Sequence, residues 1–202
     1  MGILRGVSTV FVFASPWVLY WTLTRGTTTV AGVVLIAWIV LRTIPAWAVA
    51  KPEQRRATLV LPALGFVFAM LGMALGSGVL FRLVPSMTNF AFSAAFFWSL
   101  RTTPMIEHFA RIVKPQLPEP EVRYCRNLTK VWGIYTALIG VVGAGLAIAA
   151  PLGVWAAYAG GVAYGLVGLL FAVEYVVRKA KFRDYGPNRL DALLRRVFPP
   201  IS

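Results

Sequence analysis

Residues 131–173 carry no charged side chain. As a helix this stretch is about 65 Å long at ~1.5 Å per residue, roughly twice the ~30 Å hydrocarbon core of a bilayer. Ala150, Pro151, Leu152 and Gly153 punctuate its middle, so it reads as two membrane crossings joined by a tight turn. A water-soluble fold of this size has too little polar surface to cover such an element. The rest of the chain agrees: 58% of its 202 residues are apolar and 13% are charged, against roughly 45–50% and about 25% in soluble proteins. One cysteine, Cys125, and the lack of a long charge-rich tract exclude a disulfide scaffold and disorder.

The predicted fold is all-α, a polytopic transmembrane helical bundle of six spans with short amphipathic interfacial helices. The spans are expected over residues 7–23, 28–49, 57–76, 83–100, 128–149 and 154–177. The first run is too long for a signal-peptide core of roughly 7–15 residues and lacks a small-x-small cleavage site. Trp17, Tyr20 and Trp21 end it at an interface. Arg42 in the second span must snorkel to the nearer interface or face the bundle, and Pro45 kinks the last turns. Gly76, Ser77 and Gly78 break the third span, and Arg82 and Pro85 are read as the turn into the fourth. Residues 1–178 then form a single transmembrane domain, and 179–202 a basic cytoplasmic tail.

A net charge of +13 suggests nucleic acid only if the basic residues share a soluble face. They cluster instead between apolar runs. With the N-terminus cytoplasmic, 20 Lys and Arg divide so that only Arg25 and Arg82 fall on the far side. The expectation is therefore a multi-pass protein of the bacterial inner membrane with both termini cytoplasmic, anionic lipid headgroups as the counter-charge, and no nucleic-acid partner. Small residues four apart at Gly72 and Gly76, Gly140 and Ala144, and Gly161 and Gly165 suit close helix approach, within the monomer or in an oligomer.

Two cytoplasmic segments read as helices lying on the membrane. Thr103 is expected to cap a helix over 104–113 with Pro104 at its first position. Met105, Ile106, Phe109, Ile112 and Val113 fall on one face and Glu107, Arg111 and Lys114 on the other. A proline-stiffened linker, Pro115 to Pro120, follows. In the tail, Asn188 is expected to cap a helix over 188–198 with Leu190, Leu193, Leu194, Val197 and Phe198 on a stripe and Arg189, Arg195 and Arg196 outside it.

Material for catalysis is sparse. His108 is the only histidine and lies far in sequence from Cys125, so no metal site is expected. On a helix, neighbouring Glu107 points about 100° away from it, which disfavours an acid–base dyad. Glu174 is the acid nearest to membrane depth, and Arg178 four residues on supplies an ion-pair partner. No nucleophile triad, phosphate loop or paired carboxylates are present, so neither catalytic residues nor a cofactor are expected.

The run Arg101, Thr102, Thr103, Pro104, Met105, Ile106, Glu107, His108, Phe109, Ala110, Arg111, then Leu117 and Pro118, then Leu128 to Trp132, resembles the intracellular septation protein A family of bacterial inner-membrane proteins. Glu174 with Tyr175 is similar to the pair near the end of the last span in a related group of membrane proteins found beside acyl-carrier-protein and ketosynthase genes, such as those for aryl polyenes. The match covers about residues 101–178, and His108 stands where family members often carry a basic residue. The resemblance implies a non-catalytic protein of the inner membrane supporting envelope integrity or envelope-lipid and polyene synthesis, as scaffold or partner of envelope-synthesis proteins. Two other classes compete: a transporter or flippase of a lipid-linked product, and a membrane enzyme on acyl or lipid substrates. The candidate functional or lipid-interacting residues are Arg42, Pro104, Glu107, His108, Arg111, Lys114, Trp132, Glu174 and Arg178.

Overall fold

The computed structural model describes residues 16–50, 52 and 55–199, with the side chains of residues 56 and 57 left aside. Among these residues every regular element is helical. A helix over residues 16–25 (α1) is followed by α2 (Thr28–Val49), α3 (Arg55–Ala74), α4 (Gly78–Ser99), α5 (Met105–Val113), α6 (Glu119–Ala149), α7 (Leu152–Ala157), a π-helical turn (Tyr158–Val162), α8 (Ala163–Phe182) and α9 (Arg189–Val197). Four helical segments are long and apolar enough to cross a membrane: Thr28–Val49, Gly78–Ser99, Glu119–Ala149 and Leu152–Phe182; Thr58–Ala74 is apolar but shorter. The first expected span, 7–23, lies mostly outside the described residues.

Helices in lipid gain nothing from burying apolar surface against one another, so close backbone approach and interhelical hydrogen bonds must hold them. The α4–α6 pair is built this way. A Cβ on Gly143 would sit 2.8 Å from Ser86 Oγ, one on Gly140 2.8 Å from the Phe90 ring, and one on Gly133 3.0 Å from the Phe97 ring. As one number rises the other falls, so the helices run antiparallel with glycines seated under larger side chains. Ser93 Oγ donates across the same seam to the Gly133 carbonyl at 2.8 Å. Gly32 against Met73 and Gly65 against Ile39 make the corresponding antiparallel contact between α2 and α3.

Several threonine hydroxyls within the apolar helices are satisfied inside their own turns: Thr43 donates to Ile39, Thr88 to Val84, and Thr136 to Trp132. A polar side chain at that depth is then not left without a partner. The apolar core forms two clusters. Leu19, Leu35, Phe81, Ala147 and Trp155 belong to the first, and Phe96, Leu128 and Trp132 to the second. Within the last long helix, Tyr158 interrupts the α-helical ladder with a π-turn, donates to the Ile139 carbonyl at 3.1 Å, and precedes Gly160, which lies against Trp17.

Several expected boundaries move. Arg82 and Pro85 lie inside α4, and the turn before it is Leu75–Ser77, made by Gly76 in the left-handed conformation at φ +62. Only glycine adopts that conformation without a Cβ penalty. The α6 helix starts at Glu119, about nine residues before the expected 128, because Pro120 is tolerated in a first turn and Glu119 and Glu121 favour the positive helix N-terminus. At 31 residues it is about 46 Å long, so it protrudes well beyond the length of one crossing. The last helix continues past 177 to Phe182, where Lys179 and Lys181 sit in its final turn and Arg183 ends it at φ 54.

The turns separate into two ends. Gly78 meets Leu23 and Gly153 meets Tyr20, which gathers the α1–α2, α3–α4 and α6–α7 turns at one end. There the Arg82 guanidinium donates to Ala150 O at 3.1 Å, and Trp155 Nε1 donates to Arg82 O at 3.1 Å. At the other end Arg126 reaches Leu100 O at 3.0 Å, and Lys114 lies 3.6 Å from the Asp184 carboxylate. This second end carries most of the basic residues.

Candidate functional site: a charged cleft at the basic end

The site is built around α5. Its start differs from expectation: Pro104 is the N-cap rather than the first helical residue, and it supplies no side-chain cap. The amides left open at any helix start are met from neighbouring elements. Ser99 Oγ accepts from Met105 N at 3.0 Å, and Thr129 Oγ1 accepts from Ile106 N at 3.3 Å. Thr103 is not needed. These two bonds dock α5 on α4 and α6, and they turn Met105 and Ile106 toward Phe96, Leu128 and Trp132.

That docking corrects the expected faces. Glu107 is only 6% exposed, whereas Phe109, Ile112 and Val113 are exposed at 55%, 71% and 88%. The acid therefore points inward and part of the apolar stripe outward. Arg111 grips the buried carboxylate through Nε and a terminal nitrogen, both at 2.8 Å, and donates to Pro115 O at 3.1 Å. A buried carboxylate without such a partner would be costly.

Beside this pair Lys114 Nζ contacts Glu121 at 2.7 Å. The hydrogen bond to Glu121 is the main reason its ammonium titrates above the ordinary 10.5. Arg178 Nε donates to Glu174 at 2.7 Å, the i to i+4 pair, while the guanidinium lies over the Tyr124 ring at 5.5 Å. Next in sequence and about 100° round α8, Lys179 Nζ reaches Asp191 at 2.9 Å and Asp184 O at 2.6 Å.

Asp191 is the tightest node. Its side chain is 1% exposed and accepts from Tyr175 hydroxyl, Lys179 and the Gly186 amide. The Tyr175 hydrogen bond, followed by those from Lys179 and Gly186, lowers its carboxyl from 3.8 to about 2. Asn188 takes the expected N-cap position of α9 without a side-chain bond, and Asp191 reaches back in its place. As in α5, the acid faces in while Leu190, Leu193 and Val197 stay exposed at 64%, 58% and 63%.

Between the end of α5, the start of α6 and the end of α8 lies a cleft of about 240 Å³. Lys114, Glu121, Arg178, Lys179 and Asp184 supply its charge, and Val113, Leu117 and Phe182 its apolar wall. The lining pairs cations with carboxylates beside an apolar wall, an arrangement suited to binding charged groups. Among the described residues no group of His, Cys, Asp or Glu is placed to hold a metal ion.

Of the candidate residues, Glu107, Arg111, Lys114, Glu174 and Arg178 gather at this end. Trp132 lies beneath, buried between Phe96 at 6.1 Å and Phe171 at 4.5 Å between ring centroids. Pro104 is buried at the α5 start. His108 is exposed, edge-on to Phe109, and does not line the cleft. Arg42 is exposed on α2 with its guanidinium 5.4 Å from the Trp38 ring centroid, and it does not line the cleft. Tyr175, noted in the sequence only beside Glu174, and residues that the sequence did not single out, Glu121, Tyr124, Lys179, Asp184 and Asp191, complete the cluster. Two local signals were available: Asp191 stands three residues after Asn188, the spacing of an acid that caps a helix start, and Tyr175 with Lys179 shares one face of α8. No family model, curated protein or solved structure matches this chain.

Proposed function

We propose that this chain is a six-span protein of the bacterial inner membrane, with both termini cytoplasmic, whose basic end is a non-catalytic platform for the proteins that build the cell envelope. The observation that carries this reading is the common construction of α5 and α9: each turns its acid inward onto a cation and leaves apolar side chains exposed beside basic ones. Such helices suit the headgroup level of a bilayer, where apolar residues enter the acyl boundary and Arg189, Arg195 and Arg196 meet anionic lipid. The resemblance of residues 101–178 to the septation protein A family supports the envelope role. A transporter is less well supported, because Arg42 does not line the cleft and Glu174 is bound by Arg178.

The test is charge reversal on the exposed face, Arg189→Glu with Arg195→Glu and Arg196→Glu, followed by purification from membranes with identification of co-purifying lipids and proteins. Each basic residue near an anionic surface contributes roughly 1 kcal/mol. The variant is expected to stay membrane-inserted and to lose most of its anionic lipid and its envelope-protein partners. Unchanged lipid and protein partners would contradict the platform reading.

A further inference from the structure

We propose that the cleft beside Lys114 binds one phospholipid headgroup bearing both a phosphate and a primary ammonium, as in phosphatidylethanolamine. The inference deepens the membrane reading above and rests on it, since six spans place the cleft at headgroup level.

The charge inventory selects the ligand. Lys114, Arg178 and Lys179 line the cleft with Glu121 and Asp184, and Glu174 and Asp191 bind Arg178 and Lys179 from behind. Three cations thus face four carboxylates, an arrangement that repels a purely anionic ligand as much as it attracts one. A zwitterion meets no such penalty.

Donor counting places the two halves. A lysine ammonium has three donors. Lys179 gives one to Asp184 O and one to Asp191, and Lys114 gives one to Glu121, so both retain a donor for phosphate oxygens. Arg178 lines the same wall, with its Nε given to Glu174. For the ammonium, Asp184 is the most open acceptor: its side chain is 73% exposed, and its ion-pair partner Lys114 stands 3.6 Å away, a loose contact that leaves carboxylate lone pairs for a second cation. Phosphate and ammonium binders therefore sit within one cleft of about 240 Å³. That is below the roughly 300–1,000 Å³ of pockets that enclose whole ligands, and it suits a headgroup whose tails stay outside. Val113, Leu117 and Phe182 at the wall, continuous with exposed Ile112, provide the apolar path for those tails. This favours the lipid over the soluble headgroup.

The full chain in detergent, exposed to equal amounts of phosphatidylethanolamine, phosphatidylcholine and phosphatidylglycerol, is read by native mass spectrometry of retained lipid. Phosphatidylethanolamine is expected to be retained over both others. Asp184→Asn, a change at an exposed side chain, is expected to cut that preference about tenfold, as loss of a charge-assisted hydrogen bond implies. Lys114→Gln should lower retention of every phospholipid. Soluble glycerophosphoethanolamine should compete only weakly. Equal retention of the three lipids, preference for phosphatidylglycerol, an unchanged preference in Asp184→Asn, or full competition by the soluble headgroup would overturn the proposal. Labelling of cysteines at Thr27 and Gln116 from the same side of the membrane would instead overturn the six-span reading, so the two failures are distinguishable.

Discussion

The two ends of the bundle are closed by different means. At one end three short turns meet, and the seal is a buried tryptophan, Trp155, with side-chain hydrogen bonds from Arg82 to the Ala150 carbonyl and from Trp155 to the Arg82 carbonyl. At the other end the long α6 and α8 helices extend past the apolar core, and α5 and α9 are fastened to them by ion pairs at Glu121 and Asp191, while Glu107 and Glu174 pair within α5 and α8. Packing and hydrogen bonds to carbonyls hold the first end, whereas the ion pairs of the second border a cleft. The difference teaches that the first end supports the fold, while the second holds the charged groups and the space on which the proposed lipid site is built.

Trp155→Ala should have the largest effect. Removing a fully buried indole and its hydrogen bond to Arg82 O is expected to cost about 3–5 kcal/mol, read as a lower unfolding midpoint in detergent. A shift no larger than that of a surface substitution would break the contrast between the ends. Gly140→Val comes next. Even a Cβ there would come within 2.8 Å of the Phe90 ring, so α4 and α6 must separate, at about 1–3 kcal/mol in the same assay.

The basic end should respond locally. Asp191→Asn removes the charge that Tyr175, Lys179 and Gly186 converge on, and is expected to expose α9 to protease while the unfolding midpoint stays near wild type. Acid should mimic it. Because the folded carboxyl titrates at about 2 and the ordinary one at 3.8, the docking it supports is complete above the ordinary value and is lost as pH falls toward the folded one. Protease sensitivity of α9 should thus rise between about pH 4 and pH 2, and a flat profile there would remove Asp191 as the fastening.

The same contrast explains what was legible in the sequence. Apolar period and charge placement predicted 28–49 with the bounds of α2, and placed α5 and α9 to within a residue. Those are local signals. The i to i+4 spacing likewise marked Glu174 and Arg178 as partners. Pairings such as Lys114 with Asp184, or the capping of Ile106 by Thr129, join residues distant in the chain, and no local pattern encodes them. The inward turn of Glu107 was missed for that reason: a helical wheel sorts residues by polarity, and it is Arg111 together with docking on α6 that makes an acid tolerable inside.

The central claim is that the two chemically different ends lie on opposite sides of a membrane. Single cysteines at Thr27, Ser77, Gln116 and Asp184, in a Cys125→Ala background, can be probed with a membrane-impermeant thiol reagent in intact cells and after permeabilisation. Thr27 and Ser77 are predicted to react in intact cells, and Gln116 and Asp184 only once the membrane is opened. Reaction of Gln116 or Asp184 in intact cells together with Thr27 would contradict the account.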